Sequence, residues 1–537
     1  MILISDTTLR DGAQAEGISF SIDDKLQIVK ELDELGIHWI EAGNPGANPL
    51  DYTFFKQLIH QPSLKNAHIS AFGSTRRPYQ NVSEDHSLQI LCECPAAVKT
   101  IFGKCSQYQI NHVLKCDEEE NFKMIDETIH FLIHKQNHVW FDAEHFFDAY
   151  KENPEFALKS IKIAENAGAE RIILCDTNGG ALPNDIKDAL SAAKEQITVP
   201  LGIHCHNDCG LAVANSLTAI LNGCDLIQGT ISGIGERCGN ADLCTLIPLV
   251  TLKLKKESVS EHHLTQLTHV SHVISEIMNI TPNENAPFVG FSAFAHKGGM
   301  HIDAIIKDHT TYEHIDPESV GNQRRFLISD QSGSAGIYAR LNKILPELNR
   351  TSPEIISVVN KLKSMEAEGY TYENADGSFE LLALDTLGKR PRYFEVRDYH
   401  VLCQQGQGAA TAQAYLKVAV NGIEGINAAE GDGPVNALDL ALRKTLSLFY
   451  PSIKKMRLQD FKVRVINSHG TASKVRVAIE STDGVHQWKT VGVHDNIILA
   501  SLIALIDSVD YMLNKYVSED EINAASQINK SFSASKE

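Results

Sequence analysis

Eight short apolar runs, most of them ending in a polar or acidic residue, recur along the first half of the chain. They lie at residues 2–6, 38–41, 68–72, 98–102, 139–144, 171–176, 199–206 and 226–230. Apolar residues at helical spacing lie between them, as in residues 23–32. Eight strand–helix units in roughly 250 residues predict a closed (β/α)8 TIM barrel, an α/β fold. The alternative is a doubly wound open sheet, which is disfavoured because no Gly-x-Gly-x-x-Gly turn follows the first run.

A His-x-His pair ends the seventh run and indicates a metal site. Alternate residues of a strand point to one face, so His204 and His206 direct their imidazoles the same way. An isolated pair of this kind can also lie in a polar loop. In a TIM barrel, however, functional side chains gather at the carboxyl ends of the strands, where Asp11 and Asn240 join the histidines. This mixed oxygen and nitrogen set suits Mg²⁺, Mn²⁺ or catalytic Zn²⁺.

Other polar residues are expected at the same end of the barrel. The strand-end rule places Arg10, Glu41, Glu144 and Thr177 around one mouth. Four cysteines lie nearby and are open to three interpretations: soft metal ligands, nucleophiles or small packing residues. We favour packing, since Cys205 alternates away from the histidine face; the four are Cys175, Cys205, Cys209 and Cys238.

Composition limits the function further. The 537 residues carry a formal net charge of −19, which argues against nucleic acid and anionic membrane surfaces as main partners. The 11 cysteines are scattered without a Cys-x-x-Cys motif, and residues 1–4 are too short for a signal peptide core. No apolar run is expected to reach the length needed to span a bilayer. These features together predict a cytoplasmic protein with reduced thiols.

The chain is long enough for several domains. We expect the catalytic barrel at 1–260, helical linker subdomains at 261–378 and a C-terminal α+β domain at 379–517. The last domain contains two predicted strand–strand–helix units, at 414–441 and 475–502. Such a pseudo-twofold domain can pair with a second subunit through its exposed faces. Residues 518–537 are polar and are expected to form a frayed tail.

Motifs spread over the whole chain resemble one known group of enzymes. They lie at residues 6–12, 44–49, 71–77, 142–148, 235–241, 294–301 and 429–438. Together they are similar to the DRE-TIM metallolyase superfamily, and most closely to the (R)-citramalate synthase type of the 2-isopropylmalate, homocitrate and citramalate synthase family. The chain departs from the family at residues 104–111, where a Trp-Asp-type segment is usual. This loop borders the pocket for the 2-oxo acid.

The resemblance implies a reaction and a homodimer. Acetyl-CoA would condense with pyruvate, and thioester hydrolysis would then give (R)-citramalate and CoA for isoleucine biosynthesis. Arg10 would stabilise the charge that grows on the ketone oxygen, and Thr177 would hold the substrate carboxylate. An ion pair with Glu41 or Asp176 is the alternative interpretation of Arg10, and strand-end capping is that of Thr177.

The resemblance also implies residues outside the barrel. His301 and Tyr312 would reach into the barrel of the partner subunit, with His301 as the candidate base that removes a methyl proton from acetyl-CoA. Glu144 is the alternative base, or it positions the water for hydrolysis. A histidine in a linker can also be a solvated side chain.

The C-terminal domain resembles an amino-acid feedback module with isoleucine as the expected effector. Gly431, Asp432 and Gly433 precede a predicted helix, whose amides and dipole could hold the effector carboxylate. A tight turn is the alternative interpretation of these glycines. The alternatives for the whole chain are a 2-isopropylmalate synthase that uses 2-oxoisovalerate, a retro-aldol lyase, and a non-catalytic effector-binding paralogue.

Overall fold

The computed structural model divides into two compact units. It describes residues 1–61, 63–327, 337–338, 340–342, 345–346, 348–349, 352–373, 375–404, 411–466 and 473–525. The first unit contains residues 1–294 and 313–324. The second contains the described residues of 295–312 and 325–537. The predicted domain boundaries at 260, 378 and 517 stay predictions.

Eight parallel strands of the first unit close into a barrel, which confirms the predicted fold and excludes the open sheet. Each strand pairs with the next in the sequence, and the first pairs with the eighth. The strands are β1 Leu3–Asp6, β2 Trp39–Glu41, β3 His68–Ser74, β4 Val98–Lys104, β5 His138–Glu144, β6 Arg171–Asp176, β7 Leu201–Cys205 and β8 Leu226–Gly229.

Amphipathic helices cover the outside of the barrel. In the helix Ile22–Glu34, Ser21 and Asp24 form a capping box, and Ile28 and Leu32 are fully buried. The α-helices of this unit are Ile22–Glu34, Pro49–Leu58, His86–Glu93, Gln107–Gln109, Glu118–His134, Phe146–Glu152, Pro154–Asn166, Pro183–Gln196, Ala212–Leu221, Leu243–Pro248, Glu261–Leu264 and Leu267–Ile277. Shorter 3₁₀ or π segments lie at Gly12–Gln14, Val82–Glu84, Ile110–Leu114, Ile231–Gly233, Leu249–Lys253 and Pro317–Val320.

Large side chains close the amino-terminal end of the barrel. Trp39 and Trp140 meet edge to face with ring centroids 4.6 Å apart, and they belong to a cluster with Ile173 and Leu226. Open space therefore remains at the carboxyl ends of the strands, where TIM barrels carry their functional sites.

The second unit contains two repeats of three antiparallel strands and one helix. The first is β11 Glu395–Gln404, β12 Thr411–Val420, β13 Ile423–Gly431 and the helix Pro434–Leu446. The second is β14 Arg457–Val465, β15 Val475–Thr482, β16 Gln487–His494 and the helix Ile497–Lys515. The remaining elements are β9 Ala295–His296, β10 Arg325–Phe326, the helices Gly299–Lys307, Pro353–Ala367 and Asp376–Thr386, and the 3₁₀ segments His309–Thr311 and Pro451–Lys455.

The predicted count of two strands per repeat was therefore wrong. The first strand of each repeat, β11 or β14, lies at a sheet edge and carries several exposed charged residues. Such an edge strand lacks the clean apolar alternation that marks a strand with one buried face. The pseudo-twofold pattern itself is present, because both repeats have the same order of elements.

The end of the chain requires two further corrections. The helix Ile497–Lys515 is long and apolar enough to cross a membrane, contrary to our expectation, but it is mostly buried in this unit. Its Asp507 and Asp510 bind Arg390 there. In the expected frayed tail, residues 519–525 are helical and Ala525 is buried. Residues 526–537 lie outside the described residues.

Candidate metal centre and active-site cavity

Three of the predicted metal ligands converge at the carboxyl ends of β1 and β7. An Oδ2 atom of Asp11 lies 3.3 Å from Nε2 of His204 and 3.8 Å from Nε2 of His206. The two Nε2 atoms are 3.2 Å apart. All three side chains are buried. The alternating register of the strand end therefore presents both imidazoles to the carboxylate, as the sequence pattern indicated.

Asn240, the fourth predicted ligand, lies on the segment that pairs with His206. The two residues form an antiparallel β-bridge. The Asn240 side chain donates from Nδ2 to the carbonyl of Ile234 at 3.1 Å, which directs its Oδ1 atom away from that carbonyl. This buried Oδ1 has no hydrogen-bond partner among the described residues.

The protonation states of the group suit a cation. Burial, together with the neighbouring charge of His204, lowers the pKa of His206 to about 3, so its imidazole is neutral. Burial opposes ionisation of Asp11, but the charge of Arg10 and a hydrogen bond from His204 hold its pKa well below its usual range. A neutral imidazole and an ionised carboxylate are the forms that bind metal.

Unpaired polar atoms support the same assignment. Asp11 Oδ1 and Asn240 Oδ1 are buried without a hydrogen-bond partner in the described part of the chain. Buried polar groups in native proteins are nearly always paired, so such orphans require an explanation. A divalent cation held by Asp11, His204, His206 and Asn240 fits both the orphaned oxygens and the donor set.

A cavity of about 340 Å³ opens beside this group. All eight strand ends of the barrel contribute to its wall, through residues at or just after the carboxyl ends of the strands. The lining residues are Arg10, Asp11, Gln14, Asn44, Phe72, Phe102, Asp142, Glu144, Cys175, Thr177, His204, His206 and Glu236. The seven predicted site residues Arg10, Asp11, Glu144, Thr177, His204, His206 and Asn240 are thus brought to one end of the barrel.

Arg10 is a fixed cation on the cavity wall. Its Nε lies 2.6 Å from Glu41 Oε1, and its Nη1 lies 3.0 Å from Asp11 Oδ2. Its guanidinium carbon stands 3.9 Å from the centre of the Phe72 ring. The ion pair with Glu41 is therefore present, and the same guanidinium also faces the cavity.

Thr177 and Glu144 lie at neighbouring strand ends, and the residue after Glu144 is hydrogen-bonded to the Thr177 side chain. The hydroxyl of Thr177 accepts a hydrogen bond from the amide of His145 at 2.9 Å, so its own proton is free for another acceptor. His145 has a left-handed backbone, with φ of 60°, directly after Glu144. Glu144 pairs with Lys104 at 2.7 Å.

Sequence analysis assigned no role to several residues of the cavity wall, among them Phe72, Phe102 and Asp142. Phe72 and Phe102 stack with ring centroids 5.2 Å apart. Asp142 is 3% exposed, and burial together with the charge of Glu41 raises its pKa well above the usual value. The signal was available for Asp142, since it lies two residues before Glu144 and therefore on the same face of β5.

The buried cysteines behave as packing residues. Cys175 and Cys205 are 4% and 0% exposed, and burial raises the pKa of both thiols well above the ordinary value. Both thiols are therefore protonated at neutral pH and unsuited to bind metal as thiolates. Cys209 and Cys238 are exposed, so the prediction that they are packing residues was wrong for these two.

Two predicted site residues belong to the second unit. His301 lies in the helix Gly299–Lys307, and its ring stacks on that of Tyr312 with centroids 4.2 Å apart. Both side chains are largely exposed within the unit. That they act in the barrel of a partner subunit stays a prediction.

The proposed effector loop also lies in the second unit. Gly431 ends β13, and Gly433 is the N-cap of the helix Pro434–Leu446. The amide of Asp432 donates to Asn436 Oδ1 at 3.2 Å, so one of the expected anion-binding amides already has a partner. A cavity of about 390 Å³ lies beside the first turn of this helix, lined by Val435, Asn436, Asp439, Arg443, Arg457, Leu458 and Phe461.

Comparison with known proteins agrees with this architecture. Residues 1–274 match the HMGL-like family, 288–370 the homocitrate synthase post-HMGL domain-like family, and 373–513 the LeuA allosteric (dimerisation) domain. The chain is 47% identical to an (R)-citramalate synthase of Aquifex aeolicus, over 96% of this chain and 98% of that protein. The chain belongs to the (R)-citramalate synthase type of the HMGL-like family.

Other relatives are similar over nearly the whole chain. An (R)-citramalate synthase of Geobacter sulfurreducens is 46% identical over 96% of this chain and 98% of its own length. A probable 2-isopropylmalate synthase of Archaeoglobus fulgidus is 31% identical over 95% of this chain and 97% of its own length. The HMGL-like family depends on a divalent metal, and this chain has the buried Asp/His/His group to hold one.

Proposed function

We propose that the chain is an (R)-citramalate synthase. Acetyl-CoA and pyruvate condense, water cleaves the resulting thioester, and (R)-citramalate and CoA are released. The observation that carries the proposal is the 42–47% identity to (R)-citramalate synthases over nearly the whole chain. A probable 2-isopropylmalate synthase is less similar than these five proteins, at 31% identity. The buried group of Asp11, His204 and His206 and the cavity beside it disfavour a non-catalytic paralogue.

The residues at the mouth have complementary roles in this reaction. A bound Mg²⁺, Mn²⁺ or Zn²⁺ supplies a Lewis acid and a template for the 2-oxo acid. Arg10, fixed by Glu41, stabilises negative charge that develops on the ketone oxygen. The Thr177 hydroxyl, which accepts from the amide of His145, donates a hydrogen bond to the substrate carboxylate. Holding the reactants in this geometry before the reaction lowers its entropic cost.

A base must remove a proton from the methyl group of acetyl-CoA. His301, acting with Tyr312 in the barrel of a partner subunit, is our candidate. Glu144 is the alternative, and it forms an ion pair with Lys104 on the cavity wall. As a carboxylate it can accept a proton from the methyl group or from the water that hydrolyses the thioester.

The substrate is tested by comparing pyruvate with 2-oxoisovalerate. We expect the purified protein with Mn²⁺ to release CoA from acetyl-CoA with a higher kcat/KM for pyruvate. CoA release is followed with a thiol reagent, and chiral chromatography identifies the product. A higher kcat/KM for 2-oxoisovalerate would replace this proposal with 2-isopropylmalate synthase.

We also propose isoleucine as an inhibitor that binds beside Gly431, Asp432 and Gly433. The adjoining cavity offers apolar Leu458 and Phe461 for an aliphatic side chain and the cation of Arg457 for a carboxylate. Binding would favour one arrangement of a homodimer and so change its activity.

The effector proposal is tested with Leu458→Ala and a matched control. Val485 lies in the second repeat and is 84% exposed, so Val485→Ala removes an apolar side chain elsewhere in the same domain. We expect Leu458→Ala to raise the isoleucine concentration for half-inhibition about 10-fold, since a few lost methyl contacts change affinity by that order. Equal sensitivity of both variants would place the effector elsewhere.

The cytoplasm is the location we propose, on the basis of reduced thiols and net negative charge.

A further inference from the structure

Arg237 joins three segments at the carboxyl end of the barrel. It lies after β8, three residues before Asn240. Its Nε and Nη2 donate to the two carboxylate oxygens of Asp208 at 2.7 and 2.9 Å. Its Nη2 also donates to the backbone carbonyl of Thr177 at 2.8 Å. One guanidinium thus connects the segments that follow β6, β7 and β8.

Each of these segments carries a group of the site. Thr177 follows β6, His206 follows β7, and Asn240 lies on the segment of Arg237 itself. Backbone hydrogen bonds also connect these segments in neighbouring pairs, among them those from the amide of His206 to Asp176 at 3.2 Å and from the amide of Asn207 to Gly239 at 2.9 Å. Arg237 adds a direct connection between the segments after β6 and β8, for which the described residues show no backbone hydrogen bond.

The backbone around Arg237 adopts conformations that need support. Arg237 has φ of 56°, in the left-handed region that favours glycine. Gly235 and Gly239 have φ of 158° and 87°, and a Cβ atom at Gly235 would lie 2.1 Å from Asn240 Nδ2. A non-glycine residue held in this region persists only when its surroundings fix it, and such residues cluster at functional sites.

We infer that Arg237 is a positioning residue, which holds Asn240, His206 and Thr177 in the arrangement that binds the metal and the 2-oxo acid. The part concerning the 2-oxo acid depends on the proposed function, whereas the part concerning the metal does not. An exposed ion pair with one contact contributes little. Arg237 differs because its planar fork binds both oxygens of Asp208 and a carbonyl at once, which lysine cannot reproduce.

The barrel contains a matched control for this interaction. At the opposite end, Arg171 also binds a carboxylate through two nitrogens, with Nη2 lying 3.3 Å from Oδ2 of Asp225. Arg171 begins β6, far along the strand from Thr177. Substituting Arg171 therefore removes a similar ion pair without disturbing the segments that carry the metal group.

The experiment measures Mn²⁺ affinity directly in the full-length protein. After treatment with a chelator, free Mn²⁺ is counted by electron paramagnetic resonance in Arg237→Lys, Arg237→Gly and Arg171→Lys. We expect both Arg237 variants to raise the Mn²⁺ Kd about 10-fold, the usual effect of losing a residue that orients metal ligands. Glycine accepts a φ of 56°, so the Arg237→Gly result separates the lost contacts from backbone strain. Arg171→Lys should change the Kd less than twofold.

The same variants separate the effect of Arg237 on metal binding from its effect on binding of the 2-oxo acid. The KM for pyruvate should rise in both Arg237 variants and stay unchanged in Arg171→Lys. Asp208→Asn weakens the same contacts from the other side, and combining it with Arg237→Lys should add little to the Mn²⁺ Kd. Folded Arg237 variants with a wild-type Mn²⁺ Kd would overturn the inference. A wild-type protein that binds Mn²⁺ but releases no CoA with pyruvate would overturn only the proposed substrate, because the Mn²⁺ result still decides the role of Arg237.

Discussion

The two ends of the barrel treat buried polar groups in opposite ways. At the amino-terminal end, Arg171 binds Asp225, and Lys99 donates to the carbonyls of Cys94 and Ala96. Toward the carboxyl end, several buried side chains leave a polar atom without a partner in the described chain, among them Asp11, Glu41, Asp142, His204, His206 and Asn240. Unpaired buried polar atoms reduce stability. The amino-terminal end is thus organised for stability and the carboxyl end for binding.

The same contrast explains where ionised groups collect. Arg10, Asp11 and Glu41 form one continuous set of ion pairs, with Glu41 fully buried. Desolvating these charges is costly unless the geometry compensates for it. A cation with a substrate anion bound to it would supply the missing partners. Mutations at the two ends should therefore have separable effects on activity and stability.

The largest expected effect is that of His206→Ala on activity. Losing one of the proposed ligands should reduce CoA release by at least about 100-fold, a larger loss than that caused by removing an outer residue of a metal site. The unfolding midpoint without metal should fall little, because the removed imidazole has no hydrogen-bond partner at Nδ1. Steady-state CoA release and urea titration measure the two quantities.

His138→Ala is the matched change at the other end. His138 begins β5, is exposed and pairs with Glu170 at 2.6 Å. We expect this variant to keep wild-type activity. If His206→Ala kept normal metal content and normal CoA release, the metal assignment would be wrong.

The next effect concerns the choice of 2-oxo acid. Phe102→Ala removes one ring of the stacked pair on the cavity wall and should make room for a branched side chain. We expect the ratio of kcat/KM for 2-oxoisovalerate to that for pyruvate to rise about 10-fold, since one methylene in an apolar pocket changes discrimination by about 1–3 kcal/mol. Phe122→Ala is the control, because Phe122 packs on Phe156 in a separate apolar cluster. An unchanged ratio in Phe102→Ala would show that this ring does not limit substrate size.

A stability effect without an activity effect is expected at the amino-terminal end. Arg171→Ala breaks the pair with Asp225 and the contact with the Trp140 ring, 5.4 Å from the guanidinium carbon. Because Asp225 is partly exposed, we expect a loss of about 2 kcal/mol in unfolding free energy, less than for a fully buried pair. The kcat at 25 °C should not change. A large fall in kcat would mean that the two ends are coupled.

Sequence patterns predicted the barrel and the metal group because both follow strict local rules. Alternation along β7 fixes the faces of His204 and His206, and strand ends of a barrel meet by topology. Asp142 could have been found from its spacing to Glu144, whereas Phe72 and Phe102 were missed because their importance depends on which side chains face one another across the barrel. Sequence spacing alone does not give that distance.

The second unit was less predictable for a different reason. Strands β11 and β14 are edge strands with exposed charged residues, so their pattern resembles a loop. The buried helix Ile497–Lys515 carries Asp507 and Asp510, whose partner Arg390 is more than a hundred residues away. Contacts between distant residues of this kind determine the packing, and local periodicity does not report them.

The smallest expected effect is a pH dependence of the unfolding free energy that arises from His206 at the carboxyl end. Burial and the charge of His204 lower the pKa of His206 from 6.5 to about 3, so the unfolded chain binds more protons at this residue than the folded one below pH 6.5. Protonation of His206 in the unfolded chain therefore lowers the unfolding free energy. This loss is absent above pH 6.5 and grows as the pH falls toward 3. Between pH 7.5 and 5.5 the metal-free protein should therefore lose about 1.4 kcal/mol more unfolding free energy than His206→Asn does. Comparing the two proteins cancels Asp6 and Asp176, whose raised pKa values of about 7 and about 6 act in the opposite direction. Urea titrations at both pH values measure the unfolding free energies. If the wild type and His206→Asn lost the same unfolding free energy between the two pH values, the pKa of His206 would not be lowered in the fold. The carboxyl end would then not differ from the amino-terminal end in the protonation of this buried group.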